Sequence, residues 1–124
     1  MATTSRVQVR RAYDPPERDD GQRVLVDRLW PRGLSKERAG LSEWCKDVAP
    51  STDLRQWYAH DPEKFNEFAR RYRAELDDPD HASALTHLKE LARHGRLTLL
   101  TGTKDSDLSE AAVLADLLNG SARR

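Results

Sequence analysis

Two short segments of this 124-residue chain gather side chains suited to holding a small charged molecule. The first is Asp27-Arg28-Leu29-Trp30-Pro31-Arg32-Gly33, and the second is Thr101-Gly102-Thr103-Lys104-Asp105. Arg28, Arg32 and Lys104 supply cations, and guanidinium groups grip phosphate or carboxylate through paired hydrogen bonds. Trp30 offers a stacking surface, while Gly33 and Gly102 let a ligand approach the backbone. Asp27 and Asp105 are the candidate acid–base groups. Neither segment contains an obvious nucleophile, so non-covalent chemistry is expected. A purely structural role competes with this one: Asp27 pairs with Arg28 or a neighbouring helix, and Trp30 belongs to the core.

Other reactive side chains fit their usual catalytic patterns poorly. Cys45 precedes Lys46, which would favour a thiolate, but Ser51 stands where a phosphatase-type Cys-x5-Arg pattern needs its arginine. Cys45 is therefore expected to be buried and inert. The four histidines, His60, His81, His87 and His94, lack zinc spacing, and neither a metal nor a cofactor is expected. His60 beside Asp61 is a weaker acid–base candidate than a helix-end pair. Glycine-rich phosphate loops and Gly-x-Ser-x-Gly elbows are absent.

The elements that must position these residues follow an α/β pattern. Val7–Tyr13 alternates like a strand, and Arg23–Asp27 reads as a short strand buried on both faces. Ser35 is placed to cap a short helix whose free amides would face an anion. Leu41–Cys45 is expected to begin another helix, since Trp44 and Val48 are four apart. Leu54, Trp57 and Tyr58 predict a further helical turn. Asp61-Pro62-Glu63 is a strong helix start, followed by Phe65, Phe68, Tyr72 and Leu76 at helical spacing. Asp77-Asp78-Pro79 breaks that helix, and another is expected from about His81 to His94, stopped by Gly95. Leu97–Thr101 is the third strand. Asp107 or Ser109 caps a last, apolar helix.

This predicts a small single-domain α/β layered fold, with a short, mainly parallel central sheet packed by helices. One domain spans 1–124, its ordered core about 6–119, with tails at 1–5 and 120–124. The link from Asp14 to Gln22 is short for a parallel crossover, which leaves the direction of the first strand open. In such sheets ligands bind beyond the carboxyl ends of the strands, where both segments would lie.

Composition narrows the partners. The 21 basic and 21 acidic residues cancel, which argues against binding nucleic acid by bulk charge. Residues 1–38 nevertheless carry nine basic against six acidic side chains. Arg70, Arg71 and Arg73 read as a solvated helix face. The absence of any apolar run of membrane-spanning length and the single cysteine suggest a cytoplasmic protein without a membrane partner.

The stretch Asp20-Gly21-x-Arg23-Val24-Leu25-Val26-Asp27-Arg28-Leu29-Trp30-Pro31-Arg32-Gly33-Leu34 resembles the signature of the YeaO-like family of uncharacterised bacterial proteins. Ala49-Pro50-Ser51, Leu54-Arg55-x-Trp57, His60-Asp61-Pro62 and Phe68-x-x-Arg71-Tyr72 continue the likeness. The resemblance implies a compact cytoplasmic α/β domain and leaves activity open. Such relatives carry His-Asn shortly after the Lys/Arg-Asp pair, where this chain has Leu108-Ser109. Any role of that histidine is absent here.

The expected function is therefore binding of, or action on, a small phosphate- or carboxylate-bearing ligand at loops 27–33 and 101–105. The alternative is a nucleic-acid-associated regulatory module or a plain protein-interaction domain.

Overall fold

The computed structural model describes residues 7–120, and the N-terminal tail and most of the C-terminal one lie outside that range. Four parallel strands form one sheet: β1 (Val7–Arg11), β2 (Gln22–Leu25), β3 (Glu43–Trp44) and β4 (Leu97–Thr101), in spatial order β1-β4-β2-β3. Helices α1 (Lys36–Ala39), α2 (Thr52–Tyr58), α3 (Phe65–Glu75), α4 (Pro79–His94) and α5 (Glu110–Leu118) complete the α/β domain. Among the described residues, no helix is long and apolar enough to cross a membrane.

Side chains alternate across the strands and divide the core in two. Val24, Val26, Leu97 and Leu99 join Phe68, Tyr72, Leu88 and Leu114 from α3, α4 and α5 on one face. Leu25 and Leu100 turn to the other face, where they meet Ala12, Leu34 and Ala39. The central strands are thus apolar on both sides, which is why β4 is buried along its whole length.

The first strand is parallel after all, although only residues 12–21 separate it from β2. These residues contain no α-helix and only one 3₁₀ turn, Arg18–Asp20. They pass across β4, which lies between β1 and β2. Arg23, only 3% exposed, fastens the link beneath the chain. Its guanidinium donates to Asp20 Oδ2 at 2.6 Å, to Asp14 O at 3.0 Å and to Ala39 O at 3.1 Å. At Gly21, φ is +64°, and a Cβ there would overlap the Arg96 carbonyl. Glycine is what allows this turn to sit against the start of β4.

Two helix expectations need correction. Glu43–Trp44 is a strand, because β2 presents an open edge. Ser42 N–H donates to Arg23 O and Cys45 N–H to Leu25 O, both at 2.8 Å. That pairing outweighs the helical spacing of Trp44 and Val48. Asp78-Pro79, expected only as a break, starts α4, with the Asp78 side chain capping Asp80 N–H and proline in the first turn. The remaining caps follow the chemistry of their residues, Ser51 for α2 and Ser109 for α5.

At the sheet edge, the Asn119 side chain binds Val7 at both backbone groups. Its Oδ1 accepts from Val7 N at 3.2 Å, and its Nδ2 donates to Val7 O at 3.0 Å.

Candidate functional site

The loops leaving β2 and β4 lie on the same side of the sheet, because the two strands are parallel neighbours. Between them and α2 opens a cavity of about 420 Å³. Asp27, Arg28, Trp30 and Arg32 line it from the first loop, and Gly102 and Thr103 from the second. The other walls come from Arg55, Tyr58 and His60, and from Glu110 at the start of α5.

Asp27 ties the two loops together. Its Oδ2 accepts from Gly102 N–H at 2.7 Å, and its backbone carbonyl accepts from Trp44 Nε1 at 2.7 Å. A Cβ on Gly102 would lie 3.2 Å from Pro31, so this glycine serves loop packing. Asp27 Oδ1 is buried without a hydrogen-bond donor of its own. Glu110 stands next to Asp27, and burial, a hydrogen bond to Asp27 and Asp27's charge push its carboxyl well above the usual glutamate range, against the pull of Arg55. A proton on Glu110 is thus the donor available to the pair, as with any two carboxyls crowded into one site.

Trp30 is fixed rather than free. Its Nε1 donates to Leu34 O at 2.6 Å, and its ring meets Trp44 edge-on at 5.4 Å between centroids. It packs partly against the second core while bordering the cavity. Tyr58 stacks on Phe68 at 4.2 Å and donates its hydroxyl proton to Leu108 O at 2.6 Å. Arg32 is exposed, and Arg28 and Arg55 are partly buried, each with its Nε shielded from solvent and without a hydrogen-bond partner.

A family model described as "Inactive DUF488-N3 subclade" matches residues 6–124. The chain belongs to this subclade. It is similar to an uncharacterised protein of Mycobacterium tuberculosis, 51% identical over 120 residues that cover 97% of this chain and 99% of the relative. It is also similar to the uncharacterised protein YeaO of Escherichia coli, 42% identical over 112 residues covering 90% of this chain and 96% of YeaO. The chain is thus one of the YeaO-like proteins. No solved structure matches the chain.

In this DUF488-N3i domain the sequence-predicted residues divide between places. Asp27, Arg28, Trp30 and Arg32 surround the strand-end cavity. Lys104 and Asp105 border an adjacent hollow of about 400 Å³. Gly33 borders neither; it is exposed, and its φ of +76° serves the turn. The helix after Ser35 is a single turn, with the Ser35 side chain occupied by Arg38 N–H, and offers no anion site. Asp61 is likewise engaged, capping Glu63 N–H rather than pairing with His60.

Glu110 and Arg55 line the cavity without being among the residues that the sequence points to. Glu110 carried a signal, as a lone acid opening an otherwise apolar run, but a first-turn acid is also ordinary helix chemistry. Arg55 stood within a family-like motif with no role assigned. At the position where relatives are expected to carry asparagine, Ser109 is spent on the helix. Its hydroxyl donates to Ser106 O at 2.7 Å and accepts from Ala112 N–H at 3.4 Å. Cys45 is buried, and desolvation followed by the charge of Glu43 pushes its thiol up to about 11. Arg70 and Arg71 are both engaged by Glu67. Among the described residues, no three His, Cys, Asp or Glu side chains cluster to hold a metal.

Proposed function

We propose that this domain binds a small phosphate- or carboxylate-bearing molecule in the strand-end cavity, between Arg28, Arg32 and Arg55, without turning it over. Arg28 Nε and Arg55 Nε, both shielded from solvent and lacking partners, carry the proposal. An unsatisfied buried donor costs about 1–3 kcal/mol, and a bound anion removes that cost. Trp30 and Tyr58 supply apolar walls, and the cavity volume suits a metabolite. Binding is favoured over catalysis by the family's description as inactive. The state of the nucleophiles agrees, with Cys45 buried and protonated and the Ser109 hydroxyl committed to a backbone carbonyl.

The test is a titration of phosphate esters, nucleotides and dicarboxylates, followed by tryptophan fluorescence and calorimetry, on wild type and Arg32→Ala. Arg32 is exposed, and only its backbone carbonyl is used, by the Tyr13 hydroxyl at 2.8 Å. The substitution is expected to leave Tm nearly unmoved, as for exposed charges. It should weaken binding by about 10-fold or more, the size of a charge-assisted hydrogen bond worth ~1.5–3 kcal/mol. No saturable response to any anion would overturn the reading, and a fall in Tm with unchanged ligand response would show that Arg32 serves structure alone.

A further inference from the structure

Resting on that anion-binding reading, we propose that the site takes an elongated ligand with two separated anionic groups, one held by Arg28, Arg32 and Arg55 and the other by Lys104. The strand-end cavity and the adjacent hollow, about 420 and 400 Å³, share Tyr58, His60, Gly102 and Thr103 as walls. They therefore adjoin along these four residues, and the proposed ligand would occupy them as two lobes. The arginines border the first lobe only, and Lys104 the second only. A single phosphate cannot use both sets of cations, whereas a molecule anionic at both ends can.

A tight turn places His60 at the junction. Ala59 and His60 both have left-handed backbones, with φ of 49° and 58°. For Ala59 the helix end accounts for it, since its N–H closes α2 onto Arg55 O. The second left-handed residue completes the turn that Asp61 N–H closes onto Tyr58 O at 2.9 Å. In this conformation His60 borders both lobes. Asp105 also borders the second lobe and opposes a negative group there, so Lys104 has to outweigh it.

The experiment titrates the full chain by calorimetry at constant ionic strength. The probes are methylphosphonate and α,ω-alkylene bisphosphonates of increasing chain length. One chain length is expected to bind at least ~10-fold more tightly than methylphosphonate, with longer ones falling away, as linked binding groups do. Lys104→Gln should abolish that gain while leaving methylphosphonate within ~2-fold, and Lys104→Arg should keep it. Asp105→Asn should strengthen only the bisphosphonates. A gain no greater than the ~2-fold of having two equivalent ends, or an equal loss for both probe classes in Lys104→Gln, overturns the two-group site and leaves the arginine cavity standing. If methylphosphonate and every bisphosphonate fail to bind, the anion-binding reading itself falls and this inference falls with it.

Discussion

Glu110 is the side chain whose setting departs furthest from its chemistry in water. Burial first, then a hydrogen bond from its carboxyl to Asp27 and the charge of Asp27, hold its proton on well above the usual glutamate range. The folded chain thus keeps a proton that the unfolded chain releases. Stability from this source is complete below the ordinary glutamate value and is lost as pH rises through the raised folded value. Glu110→Gln keeps the shape and a hydrogen-bond donor but cannot ionise. Its stability relative to wild type is expected to grow steadily from about pH 5 to pH 9, read by urea denaturation at each pH. A difference that stays flat across that range would mean that Glu110 holds no extra proton. Nothing in the sequence marks this pair, because Asp27 and Glu110 are far apart along the chain and meet only once β2 and α5 are packed.

At the scale of elements, the link between β1 and β2 replaces the crossover helix usual for parallel strands. Arg23 and Asp20, 3% and 1% exposed, hold it with a 2.6 Å ion pair. Burial alone would push the Asp20 carboxyl up. The Glu17 backbone N–H, the Arg23 hydrogen bond and the charges of Arg10 and Arg23 outweigh that and hold it below the ordinary value. The pair's stabilisation is therefore present above the ordinary aspartate value and is lost as pH falls through the depressed folded value. Asp20→Ala strands a buried guanidinium and is expected to cost about 3–5 kcal/mol near neutral pH. The deficit should shrink in acid, and a urea midpoint unchanged from wild type at neutral pH would show that the link stands without the pair. Strand and helix positions were legible where residues carried their own signal. Asp61-Pro62 opened its helical segment, Gly95 closed α4, and the apolar run of β4 was plain. The sequence was silent where a neighbour decided, as with β3, a strand only because β2 lay open beside it.

For the molecule as a whole, the class was readable because alternating and helical periodicities survive in a short chain. Phe68, Tyr72, Leu88, Leu99 and Leu114 are all buried, as expected, and Phe65 and Leu91 are partly buried against the margin of the same core. The strand order was not readable, because placing β4 between β1 and β2 depends on pairings such as Val7 with Leu97 and Gln22 with Leu97, far apart along the chain. That order brings the two cation-bearing loops together, since their strands become neighbours with carboxyl ends on one side.

The Asn119 side chain, bonded to both backbone groups of Val7, acts as a one-residue stand-in for a fifth strand. An outer strand with free N–H and C=O groups is a template on which a second molecule can extend the sheet. The Asn119 amide covers one such pair of groups, so its loss would lengthen the open edge. Replacing it, as in Asn119→Ala, is expected to produce concentration-dependent association in light scattering while the dilute protein keeps its circular dichroism. If the variant scatters like wild type up to its solubility limit, the rest of β1 already guards that edge, and the amide only steadies the end of α5.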